Sequence, residues 1–154
     1  MEVSLETVKL DSVRILIADD NLQGVELLDA YLAELGCQVK AAYDGEQTLR
    51  VVNEWQPDLI LLDIMMPRIS GFEVCKRVRA NPKTRDTAIL MVTALDQPSD
   101  IDRAVEVGTD DFLTKPINKQ ELLLRVRSVL KGRLYKRELE RALAYFAEVE
   151  RGGQ

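Results

Sequence analysis

The stretch PDLILLDIMMP, residues 57–67, reads as a short apolar strand that ends on a carboxylate, Asp63, followed by two methionines and a proline. A carboxylate buried without a partner costs on the order of several kcal/mol. Asp63 therefore makes sense only if other parts of the chain bring positive charge to the end of this strand.

Four similar apolar runs flank it: VRILIA (13–18), CQVKAA (37–42), AILMVT (88–93) and DFLTK (111–115). Between them lie LQGVELLDAYLAEL (22–35), GEQTLRVVNEW (45–55), GFEVCKRVRA (71–80) and SDIDRAVEVG (99–108), and a fifth amphipathic stretch starts near Asn118 and runs from Lys119. Their apolar residues recur three and four apart, the helical period. The alternation predicts a (βα)5 unit. Residues 13–18, 58–63 and 88–93 are apolar on both faces, as central strands of a parallel sheet are when helices cover both sides. Right-handed crossovers then predict an α/β, flavodoxin-like, doubly wound five-stranded sheet in the order 2-1-3-4-5, with an extended C-terminal helix.

Ligands of such sheets sit beyond the carboxyl ends of the strands. Directly after the first strand stand Asp19 and Asp20, after the third Asp63, after the fourth Thr93, and after the fifth Lys115 and Pro116. Three converging carboxylates repel one another, so the set calls for a divalent ion with oxygen ligands, which suggests Mg2+. Lys115 adds a fixed positive charge. Metal and ammonium together are what an attacking carboxylate needs to accept a phosphoryl group, and Asp63 is the best placed nucleophile. Asp20 or Asn21 could also cap the first helix, a role that need not exclude metal binding.

Bulk properties narrow the function. At 154 residues the chain holds one domain and an appendage, and 46% hydrophobic with 31% charged residues is the balance of a globular protein. No apolar run reaches the length of a membrane span, and residues 1–15 lack a signal-peptide pattern, so no membrane association and a cytoplasmic location are expected. There is no histidine, and Cys37 and Cys75 are isolated, read as small buried fillers; zinc, thiol and His-based catalysis have almost no ligand set. A phosphoryl donor would have to be another protein. Residues 1–130 carry 15 basic and 22 acidic groups, which argues against direct nucleic-acid binding by the main body. The basic cluster KGRLYKRELER (131–141) reads as a solvated helix face, and Trp55, the only tryptophan, as packing.

ILIADD, LLDIMMP with Gly71 after it, MVTA, DDFLTKP and the final amphipathic helix occur in the order in which they stand in the receiver domain of two-component response regulators, and over residues 12–131 the chain resembles that family. The resemblance implies Asp63 as phosphoacceptor, Asp19 and Asp20 as Mg2+ ligands with the Met65 backbone carbonyl, Thr93 bonding a phosphoryl oxygen, and Lys115 pairing with the phosphoaspartate. It also implies a cis Lys115-Pro116 bond, a switch role for Phe112 beside plain core packing, and Met65 and Leu95 as side chains that set how long the phosphoryl group lasts. Both are apolar, so self-dephosphorylation is expected to be slow. The implied donor is a sensor histidine kinase or phosphotransfer protein, and the implied output a downstream protein or an attached domain, with a homodimer as a further option. The chain would catalyse only its own phosphorylation and dephosphorylation.

Rival functions leave different traces. An aspartyl-phosphate phosphatase would want an acid where Met65 stands, and a flavin carrier would want a small, hydroxyl-rich loop where DDNLQG stands. A receiver-like interaction domain that is never phosphorylated, or the regulatory part of a longer signalling enzyme, is also compatible with these residues. NPKTRDTAILMVTAL and DDFLTKPINKQELLLRVRSVL are similar to receivers that precede cyclic-dinucleotide or kinase modules, although no output motif stands in these residues.

Residues 1–11 are expected to be an N-terminal extension and 132–154 a helical extension or linker. In the latter, Tyr135, Leu139, Ala142, Phe146 and Val149 form a two-heptad stripe, too short to hold a coiled coil alone. It would dock on the domain, pair weakly with another copy, or begin a linker. Gly132 would end the fifth helix or merely weaken it, and the terminal GGQ reads as a flexible stop or as the cut edge of a longer chain.

Overall fold

The computed structural model describes residues 10–94 and 97–152. Five parallel strands, β1 (Arg14–Ala18), β2 (Gln38–Ala42), β3 (Leu59–Leu62), β4 (Ala88–Thr93) and β5 (Asp111–Thr114), form one sheet in the order β2-β1-β3-β4-β5. Helices α1 (Leu22–Leu32), α2 (Gly45–Trp55), α3 (Gly71–Ala80), α4 (Pro98–Val107) and α5 (Lys119–Gly152) connect and cover them, and a 3-10 turn (Ala33–Leu35) extends α1. The architecture and strand order are those the periodicity predicts.

The period-two alternation of the central strands sorts their side chains into two cores. Ile15, Ile17, Leu59, Leu61, Leu90 and Val92 face α1 and α5. Leu16, Ala18, Ile60, Leu62, Ile89 and Met91 face α2, α3 and α4. Each fully buried Leu or Ile contributes about 1.5–3 kcal/mol of transfer free energy, so the three central strands dominate the packing. The edge strands β2 and β5 are only partly buried, which is why their sequences are mixed.

Local sequence starts each helix. Asn21, Asp44 and Ser70 are extended residues whose side chains accept from the backbone N–H groups of Gly24, Gln47 and Glu73, closing α1, α2 and α3 at their N-termini. Gly71 is forced by a close approach: a Cβ there would stand 2.3 Å from the Asp63 carbonyl oxygen. The Gly71 N–H donates to the Ile64 carbonyl at 2.8 Å, so the loop after β3 is folded back against its own strand end.

Several expectations change. Cys75 is buried, but Cys37 is half-buried, its thiol near the Leu32 carbonyl at 4.0 Å. Trp55, by contrast, packs as expected, at the edge of the second core with the Lys40 ammonium 4.8 Å and the Arg14 guanidinium 5.9 Å from its ring centroid. Gly132 does not end α5, which continues without a break to Gly152. The stripe does not dock on the domain, since every residue from 139 to 152 is exposed.

The basic cluster at 131–141 is also more than a solvated face. The Arg133 Nη1 donates to the Asp58 carbonyl at 2.8 Å and to its Oδ1 at 2.7 Å, and the Lys136 Nζ to Asp86 Oδ1 at 3.1 Å. These contacts fasten α5 to the base of the sheet. Of the expected N-terminal extension, residues 1–9 lie outside the described residues.

Gly71→Ala is expected to cost about 1–3 kcal/mol, because the added methyl meets backbone rather than a side chain that can turn aside. Urea unfolding measures it; unchanged stability would show that the loop after β3 has room to spare.

Candidate functional site

Because β1 and β3 are neighbours in parallel register, with Ala18 opposite Leu62, the residues that follow them emerge side by side. Asp19 and Asp63 are these residues, 1% and 6% exposed. Their backbones are held at the strand ends: the Asp63 N–H donates to the Ala18 carbonyl at 2.9 Å and the Asp19 N–H to the Ala42 carbonyl at 3.1 Å. From the far side of β4, the Lys115 Nζ donates to Asp19 Oδ2 at 2.8 Å and to Asp63 Oδ2 at 3.3 Å. The Lys115 N–H donates to the Thr93 carbonyl at 2.7 Å, which sets the height at which the lysine leaves β5. The Lys115-Pro116 bond is cis, as expected.

Asp20 completes the acidic set. Carboxylate oxygens of Asp19, Asp20 and Asp63 all lie within 4.8 Å of one another. Asn21 rather than Asp20 caps α1, so the exposed Asp20 is not spent on the helix start. Asp19 Oδ1 accepts from the Asn21 N–H at 2.9 Å, and Asp63 Oδ1 from the Met65 N–H at 3.1 Å. Gly24 belongs to the site as well, because a Cβ there would meet Asp19 Oδ2 at 2.9 Å. Neither Asn21 nor Gly24 stands out in the sequence as more than helix start.

The charges are unbalanced, three carboxylates against one ammonium. Burial pushes the Asp63 carboxyl above its ordinary pKa; Lys115 opposes this and Asp19 adds to it. Burial works against the charge on Lys115, but the hydrogen bond to Asp19 and the attraction of Asp63 outweigh it and hold the lysine above its usual value. Oxygen donors alone, in excess of the local positive charge, are the ligand set of a hard divalent cation. The donor chemistry therefore fits a metal.

The remaining predicted residues take graded positions. Thr93 is fully buried at the end of β4, opposite Thr114. Phe112 lies opposite Met91 and packs with the second core; by strand alternation it shares a sheet face with Thr93 and is its diagonal neighbour. Met65 exposes 61% of its surface above the site, although its backbone N–H is tied to Asp63. Leu95 lies outside the described residues.

A family model described as the response regulator receiver domain matches residues 15–127. The chain is a member of the response regulator receiver domain family. It is 42% identical over 118 residues to the DNA-binding dual master transcriptional regulator RpaA of Synechocystis, covering 77% of this chain and 49% of that protein. Response regulator PleD of Caulobacter vibrioides is 42% identical over 128 residues, 83% of this chain and 28% of that one. The receiver thus spans about half or less of the length of these relatives. A response regulator from Chloroflexus aurantiacus superposes with a TM-score of 0.75 at 37% identity, over 78% of this chain and 98% of that one. No helix among the described residues is long and apolar enough to cross a membrane.

Asp63→Asn is expected to raise the stability of the metal-free receiver by a few degrees in Tm at neutral pH. The sign follows from the raised pKa: the fold favours the protonated carboxyl, a contribution present at acid pH and lost as pH rises through the raised value, after which the ionised group is a cost. Thermal unfolding of both proteins across pH should show the gap closing toward acid; a variant less stable than wild type at neutral pH would contradict it.

Proposed function

We propose that Asp63 accepts a phosphoryl group from the phosphohistidine of a sensor histidine kinase or phosphotransfer protein. The observation that carries this reading is the Lys115 ammonium shared between Asp19 and Asp63 at the sheet's carboxyl end, with Asp20 completing the acidic cluster. One Asp63 carboxylate oxygen attacks phosphorus, the new O–P bond forms as the N–P bond of the donor breaks, and the electron pair returns to the imidazole nitrogen. Asp19, Asp20, Asp63 and the Met65 carbonyl are the groups that would hold Mg2+, which would supply positive charge at the phosphoryl oxygens. Lys115 pairs with the product and keeps that charge balanced from the opposite side.

Thr93 then bonds a phosphoryl oxygen and Phe112 follows it, which shifts the surface made by α4, β5 and α5 between two states. What supports this is their diagonal placement on one sheet face. The output is control of a downstream protein or an attached domain. The domain acts on no external substrate, works in the cytoplasm, and leaves nucleic acid to other parts of such regulators, in keeping with its acidic body. Residues 12–131 form the working unit, and 132–154 transmit or organise its output.

Two experiments test this. Incubation with a small phosphodonor and Mg2+ should add one phosphoryl mass to wild type and none to Asp63→Asn; an unmodified wild type refutes the reading. Loss of the phosphoryl group should be slow, on the order of minutes or longer, because the exposed Met65 offers no group to orient water. Met65→Asn should speed the decay severalfold, and a fast wild-type decay that the substitution leaves unchanged removes Met65 from this role.

A further inference from the structure

We propose that the exposed face of α5 beyond residue 136 is a self-association surface that takes the same helix of a second copy, packed antiparallel. The inference rests on the helix and its charges and is independent of the phosphorylation chemistry.

At 100° per residue, Leu122, Val126 and Leu130, which bury α5 on the first core, define one side of the helix. Leu139, Ala142, Phe146 and Val149 fall on roughly the opposite side. Arg133 lies toward the buried side and Lys136 on the flank between the two sides, and they are tied to Asp58 and Asp86 at the base of the sheet. The clamp fixes the rotation of the helix as it leaves the body. Its own receiver is thus on the wrong side to cover the stripe, and Leu139, Phe146 and Val149 stay 60%, 62% and 52% exposed. Such a spacing is covered by another helix with the same period.

Charge selects the direction. Within the span that an antiparallel pair can overlap, residues 136–141 hold three basic and two acidic side chains, while 142–152 hold two acidic and one basic. A parallel pair would lay the basic half on the basic half and put Lys131 beside Lys136 of the second copy at the flanking positions. An antiparallel pair lays the basic half on the acidic half and brings Lys136 near Glu150 of the second copy at both ends. The same register sets Leu139 over Val149 and the small Ala142 over the large Phe146, whereas a parallel pair would stack Phe146 on Phe146 and leave Ala142 facing Ala142. Two heptads bury less than the roughly 1,200 Å² at the lower end of stable interfaces, so the pairing is weak and concentration-dependent.

Sedimentation equilibrium of the unphosphorylated full chain tests this. Wild type should show a monomer–dimer equilibrium, and Leu139→Glu with Phe146→Glu should be monomeric with unchanged helical circular dichroism, since both positions are exposed. Glu150→Lys should weaken the dimer about threefold, the size of two solvent-exposed charge pairs, and adding Lys136→Glu should restore it. A wild type that stays monomeric at every concentration overturns the proposal. So does a dimer that survives the Leu139 and Phe146 substitutions, or a Glu150→Lys variant that dimerises as tightly as wild type, as a parallel pair would.

Discussion

One ammonium holds together carboxylates from two strands. Lys115 leaves β5 and reaches across β4 to Asp19 and Asp63, which follow β1 and β3. Two strand spacings separate β5 from β3, about 9.5 Å at the usual interstrand distance, a gap the lysine's four-carbon stem can bridge. The strand order is therefore a condition of the site. Placing β1 beside β3 puts the carboxylates together, and placing β4 between β3 and β5 leaves the lysine at arm's length with Thr93 beneath it.

The bridge leaves the site short of positive charge. Asp19, Asp20 and Asp63 outnumber Lys115, and the fold disfavours the ionised form of Asp63. A polar site of this kind costs stability in the resting protein, as binding and catalytic sites commonly do. A divalent cation would offset that cost, and under the function we propose a transferred phosphoryl group would change its balance, so that occupancy of one crevice would bias the conformation of the sheet edge and α5.

Much of this was legible in the sequence, because its signals are local. Apolar runs buried on both faces mark β1, β3 and β4, and the three-and-four spacing of apolar residues marks the helices at 45–55 and 71–80. Asp19, Asp20, Asp63, Thr93 and Lys115 stand directly at strand ends, where topology alone brings them together. The division of labour between Asp20 and Asn21 was not decidable, since either type caps helices equally well. Nor was the grip of Arg133 on Asp58, a contact between residues 75 apart whose only sequence trace is a basic cluster that reads as solvated. Gly132 weakens a helix by only about 1 kcal/mol, too little to stop one whose preceding turns are packed and whose next turn is clamped.

The central claim is that Lys115 and a divalent cation share the task of neutralising the same carboxylates. Calorimetric titration of Mg2+ into wild type and Lys115→Ala, with phosphoryl uptake measured on the same samples, tests it most directly. The account predicts tighter Mg2+ binding by the variant, because a competing positive charge has gone, together with strongly reduced phosphoryl uptake. Weaker Mg2+ binding by the variant, or uptake equal to wild type, would contradict it.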